Sequence, residues 1–295
     1  MPFYTKYVRL PTSDDVPPAE IRWNPKFWPF FKDVIGAIDG SHIHCAPPAF
    51  ERASHRNCKG WLSQNCLFTC NFCLAFIYAL TGWEGSATDA HVWEDALEHD
   101  LIIPAGKYFL ADARFPLCDQ LLVPYQVVCY HLAEWGCAKV RPVNKEELFN
   151  LRHASAHNII EHIFGVLKCR FRILLLAPEY SLEIQARIPA ALCAIHNFIW
   201  DHDSNKGDLP GDPQFFGEDF YHGPGAGEDY PPENETQLGQ NPSAASIRCN
   251  KIAQAMWDHY LQVCEDRIES LEQEGDDFSV GDEGDFTDDN EGDMD

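Results

Sequence analysis

The chain has 295 residues, 45% hydrophobic and 13% aromatic, enough for a substantial core in one large domain or two small ones. Its formal net charge is −24, but residues 274–295 hold eleven acidic side chains and no basic one, which leaves −13 on the rest. No apolar run reaches eighteen residues and no apolar leader with a small-residue cleavage site opens the sequence, so neither a membrane span nor secretion is expected.

Residues 1–30 are rich in Pro and Trp (RLPTSDDVPPAEIRWNPKFWPFF) and read as irregular. From about Phe31 to Asp203 the pattern alternates between strands and helices. VIGAIDG is a short apolar run ending at Asp39 and closed by Gly40, as in a strand entering a turn, with His42 to Cys45 as its continuation up to Pro47 and Pro48. Asn65 to Thr81 is long enough for two paired strands with a turn near Asn71. Cys70 and Cys73 lie in this apolar stretch. Residues alternate faces on a strand, so that spacing does not converge two thiols on one ion, and a reducing compartment disfavours disulfides among the twelve cysteines.

GSATDAHVWEDALEHD offers Ser86, Thr88 or Asp89 as the N-cap of a helix. KYFLADA is a further strand ending at Asp112, and Gln126 to Leu132 another. Asn144 to Leu167 reads as helix, in one or two pieces, with Ile160, Ile163, Phe164 and Leu167 on its buried face, and residues 182–202 as a helix interrupted or kinked at Pro189. Residues 204–244 read as a linker and 245–273 as a C-terminal helix. In that helix Trp257, Leu261, Cys264, Ile268 and Leu271 form a stripe suited to docking on the main domain or to a short homodimer seam. The tail, residues 274–295, is expected to be disordered.

Three carboxylates stand out: Asp39 and Asp112, each ending an apolar run, and Glu161 inside a helix. Phosphodiester chemistry needs charge neutralisation and an activated nucleophile, which two divalent ions held by carboxylates can supply. Adjacent strands and a packed helix can bring such groups together. Each also has a plainer role: Asp39 as a turn residue, Asp112 as a helix cap, Glu161 as a solvent-facing helix residue. Local basic patches for phosphate are Arg52, Arg56 and Lys59, and Lys168, Arg170 and Arg172, unless these are solvated faces.

The segments AIDGSHIHCAPP, GSATDAHVWEDAL, YFLADARFPL, FNLRHASAHNIIEHIFGVLKCRFRIL and CAIHNFI, in this order, resemble the DDE-type transposases and nucleases of the PIF/Harbinger group. The resemblance spans about Tyr7 to Trp200. It implies an RNase H-like α/β fold, a mixed sheet flanked by helices, followed by the C-terminal helix and acidic tail. It implies metal-dependent cleavage and strand transfer of double-stranded DNA, in the nucleus, with two Mg²⁺ or Mn²⁺ ions. Asp39, Asp112 and Glu161 match the family's catalytic carboxylates. Asp89 matches a further acidic position near the metal, and has an N-cap as its alternative.

Two departures accompany the likeness. Relatives usually carry a helical DNA-binding region before the first Asp. The segment before Asp39 is too short for such a region plus a first strand, so that role is expected to be lost or to fall to a Myb-like partner protein. Arg114 stands where the family has Gly, and His157 and His162 stand where it favours Arg. These departures give the alternative of a catalytically inactive domesticated relative that serves as a protein-interaction module.

Overall fold

The computed structural model describes residues 2–126, 128, 141–203 and 243–277, with the side chains of 2 and 271–277 left aside. Most of the expected strand at Gln126–Leu132, nearly all of the linker, and the tail from 278 onward lie outside the described residues; Gln126 and Val128, which are described, are in a turn and a bend.

Among the described residues, five strands form one mixed sheet in the order β3-β2-β1-β4-β5. They are β1 (Val34–His44), β2 (Ser63–Cys70), β3 (Phe76–Glu84), β4 (Tyr108–Leu110) and β5 (Leu121–Leu122). β1, β2 and β3 pair antiparallel, whereas β4 and β5 run parallel to β1. The helices are α1 (Pro2–Tyr7), α2 (Ala19–Arg22), α3 (Asp89–His99), α4 (Lys145–Arg170), α5 (Leu182–His202) and α6 (Ala244–Asp277). The N-terminal segment expected to be irregular thus holds two short helices, and it contributes Val8 and Ile21 to the core.

The period-two alternation of the strands divides the core into two layers. Ala37, Phe68, Leu110 and Leu122 face one way, against Ile160 and Ile163 of α4, Cys193 of α5 and Met256 of α6. Ile38, Leu67, Phe109 and Leu121 face the other way, against Val92, Trp93 and Ala96 of α3. This is a mixed α/β sheet covered by helices on both faces, the RNase H-like architecture expected.

Polar side chains at β1, β3 and β5 lock the helices onto the sheet. His153 and His157, one turn apart on α4 with rings stacked 5.8 Å apart, donate from Nε2 to the carbonyls of Leu122 (2.8 Å) and Ile38 (3.1 Å). Asn197 of α5 accepts from the Phe76 N–H at 2.9 Å and donates to the carbonyls of Phe76 and Tyr7. The expected interruption at Pro189 does not end the helix, which runs through it. Proline lacks the N–H that would bond to Gln185, and that carbonyl accepts instead from the Gln64 side chain of β2 at 2.9 Å. The proline therefore leaves a docking point for the sheet.

α6 packs against α4 through its first half, burying Ala245, Cys249, Ala253 and Met256. Arg248 lies over the Tyr108 ring and donates to the carbonyls of Cys118, Asp119 and Leu121, fastening the loop between β4 and β5. The expected stripe is only partly the docking face: Trp257 packs against the core, while Leu261 and Ile268 stay exposed.

Candidate active site

Asp39 does not end a strand. It is the sixth residue of the eleven in β1 and pairs with Phe68 of β2. It shares a strand face with Ala37 and Ser41, the face covered by α4. Gly40 points the other way. A Cβ there would fall on the Asp89 carboxylate, so glycine lets the start of α3 approach β1 closely. Asp89 is the first residue of α3. The N-cap is Thr88, whose hydroxyl accepts from His91 N at 3.3 Å, so the capping alternative for Asp89 does not hold. Asp112 follows β4, two positions beyond its end.

These three aspartates surround one guanidinium. Arg114 donates from Nε to Asp112 Oδ2 at 2.7 Å, and its Nη2 and Nη1 lie 3.3 Å from Asp39 Oδ1 and Asp89 Oδ2. The Arg114 backbone N–H also bonds to Asp112 Oδ1 at 2.9 Å, which fixes the turn that aims the side chain. Asp39 Oδ1 accepts from the Gly40 N–H at 2.7 Å, and Asp89 Oδ1 accepts from Asn65 Nδ2 at 3.0 Å. The carboxylates are 10–19% exposed and Arg114 is 42% exposed.

The electrostatics follow from this crowding. Burial pushes the Asp39 carboxyl well above the ordinary carboxylate range, and Asp112 and Asp89 add to the rise while Arg114 opposes it. Burial alone would lower the Arg114 guanidinium, but Asp112, Asp39 and Asp89 outweigh it and hold the charge in place. Arginine also costs the backbone nothing here, because Leu74 is the single non-glycine residue with positive φ among those described.

Glu161 is on α4 and solvent-exposed, and it makes no hydrogen bond or ion pair among the described residues. Its neighbours on that helix place it. One turn before it, His157 reaches Ile38; two turns after it, Lys168 donates to Ser41 Oγ at 3.0 Å. The two anchors straddle Asp39 on β1, and Glu161 lies between them on the same side of the helix. His157 is therefore a buried tie holding the strand beside Asp39. Lys168, which the sequence suggests is part of a surface patch, is instead half-buried against β1. Burial lowers its ammonium below the ordinary value, with Cys66 and Asp39 acting in the opposite sense.

Of the other sequence candidates, Arg170 turns to His196 and Arg56 to the Gly60 carbonyl. His42 pairs with Ser63, and no disulfide joins the described cysteines. The loop of residues 49–61 exposes Arg52, Arg56 and Lys59 beside the exposed rings of Phe50 and Trp61. It abuts the turn before α3, where Ser86 N bonds to the Ser54 carbonyl at 3.0 Å.

The acidic set suits a hard divalent cation by its chemistry. As arranged it does not fit one, because the carboxylates are spent on Arg114. Among the described residues no group of three His, Cys, Asp or Glu side chains is placed to hold a metal.

The family described as DDE superfamily endonuclease matches residues 38–197, more than half of the chain. The chain belongs to that family. The match begins just before Asp39 and ends at Asn197, so it takes in Asp89, Asp112, Glu161 and the α4 and α5 locks. The chain is 32% identical over 175 residues to "Putative nuclease HARBI1" of Rattus norvegicus, covering 57% of this chain and 46% of the relative. It is 30% identical over 211 residues to the protein of the same name in Mus musculus, covering 69% and 53%. It is 27% identical over 204 residues to "Protein ALP1-like" of Arabidopsis thaliana, covering 60% and 46%. The chain spans about half the length of the curated relatives it matches. No solved structure matches it.

Proposed function

We propose that this chain is a DNA endonuclease or strand-transfer domain in which Asp39, Asp112 and Glu161 are the reacting-site carboxylates and Asp89 is an accessory acid. The convergence of Asp39, Asp89 and Asp112 within the reach of one guanidinium supports this reading most directly. Side chains from well-separated stretches of sequence meet on β1, the start of α3 and the turn after β4, where their mutual repulsion would cost stability without a cation. A Mg²⁺ or Mn²⁺ requirement, two ions, double-stranded DNA and a nuclear location belong to the same proposal, as do a Myb-like partner and pairing of two copies through α6. Nicking of supercoiled DNA in Mn²⁺ tests it, run on the chain and on an Arg114→Gly form whose carboxylates are unclamped. In that form Asp112→Asn is expected to reduce nicking at least about a hundred-fold. Undiminished nicking by the Asp112→Asn variant would remove the assignment.

The loop of residues 49–61 is the proposed DNA face. Its exposed cations and aromatic rings stand beside the start of α3, on a chain whose formal net charge is −24. Arg52→Gln is expected to lower the salt dependence of DNA binding by about one unit of slope in log K against log salt. An unchanged slope places the DNA elsewhere.

The second reading, a non-catalytic relative acting as an interaction module, draws its support from Arg114 itself and from the exposed Leu261 and Ile268 of α6. Failure of the Arg114→Gly form to nick DNA while binding Mn²⁺ would favour it.

A further inference from the structure

We propose that Arg114 is the resident cation of the Asp39–Asp89–Asp112 cluster, and that it closes the site to divalent metal until its side chain leaves. This rests on the reading of that cluster as the nuclease site.

Each of the three guanidinium nitrogens faces a different carboxylate, and the three carboxylates come from β1, the start of α3 and the turn after β4. No other residue among those described reaches all three. The guanidinium is planar and permanently charged, so it holds the carboxylates in a fan around its rim. A Mg²⁺-sized ion requires the same oxygens to point at a single centre about 2.0–2.1 Å away. The two geometries exclude each other, because every oxygen turned inward to a metal is lost to Arg114.

The clamp is also built to be held. The Arg114 backbone N–H is tied to Asp112, and the Asp89 carboxylate is fixed from behind by Asn65. The cluster therefore keeps its geometry with no bound ion. Yet the arginine remains 42% exposed, so its side chain has a route outward that the carboxylates lack. A phosphate of an approaching backbone would compete for the same donors.

The site thus has two states. In one, Arg114 neutralises part of the cluster's charge and metal is excluded; in the other, the guanidinium is drawn outward and the oxygens are free.

Mn²⁺ binding by the full chain, followed from the free-ion EPR signal, tests this. Arg114→Gly and Arg114→Gln are each expected to bind Mn²⁺ roughly ten- to hundred-fold more tightly than the parent chain. Adding Asp39→Asn to either is expected to abolish the gain. Equal Mn²⁺ affinity in parent and variants overturns the proposal, as does a gain that survives Asp39→Asn. If the variants lose structure in metal-free buffer, Mn²⁺ is expected to restore their helical circular dichroism, and no restoration also overturns it. Tighter Mn²⁺ binding without DNA nicking leaves this proposal standing and counts against the nuclease reading. Nicking with no difference in metal affinity does the reverse.

Discussion

Gly36→Ala is expected to destabilise the chain by about 3 kcal/mol or more, a loss legible in chemical denaturation. Gly36 lies in β1 where the pairing with β4 shifts register, and a Cβ there would overlap the backbone carbonyl of Cys70 on β2. A backbone atom inside a sheet has no rotamer to escape into, so the strands must part. Asp39 follows on the same strand and would move with them. Gly40→Ala offers the contrast. Its obstacle is the carboxylate of Asp89, a side chain that can turn away. That variant is expected to lose no more than about 1–2 kcal/mol while breaking the Asp89–Arg114 contact. A Gly36→Ala chain as stable as the parent, or a Gly40→Ala chain damaged as severely, would contradict this account of how closely β1 is approached by β2 and by α3.

Acid is expected to unfold the chain through two histidines. Burial, with His157 adding, pushes His153 down to about 3; burial, opposed by the Leu74 contact and aided by Arg170, pushes His196 down to about 4. The ordinary value is about 6.5. Both are neutral in the fold, donating from Nε2 to the carbonyls of Leu122 and Leu74, and His196 Nδ1 accepts from Arg170. The stability they contribute is fully present above about pH 6.5. Below it the unfolded chain takes up protons that the fold refuses. Each histidine then removes up to about 1.4 kcal/mol per pH unit until its folded value is reached. By pH 4 the loss is on the order of 5 kcal/mol. Asp39 works in the opposite sense, since a raised carboxyl is relieved as pH falls, but burial also lowers His42, so it is one group against three. Denaturation midpoints from pH 7 to pH 4 measure the slope, and His153→Gln is expected to flatten it. A slope unchanged by that variant would show the proton going elsewhere.

Much of this is written locally in the chain. The apolar runs around Asp39 and before Asp112, and the buried face of α4, each sit within a short window, where periodicity acts. β5 escapes such a reading because so short a strand has no period. Gly40 reads as a turn because a close approach and a turn leave the same mark in sequence; only the folded position of Asp89, on a different element, distinguishes them. Lys168 looks like surface because a long cationic side chain usually stays wet, and its partner Ser41 belongs to a distant strand. Arg114 is visible as a departure from the family. The finding that its charge answers three aspartates depends on β1, α3 and β4 being folded around it, which no single window contains.

The grip of Arg248 on the loop between β4 and β5 sets an order of events during synthesis. The β1–β2–β3 meander, carrying Asp39, consists of neighbouring segments and can pair as soon as Glu84 has emerged. The loop that follows Asp112 has to wait for a helix made much later before three of its carbonyls are fastened. The loop after Asp112 is thus fastened in a second step, which waits for Arg248 of α6.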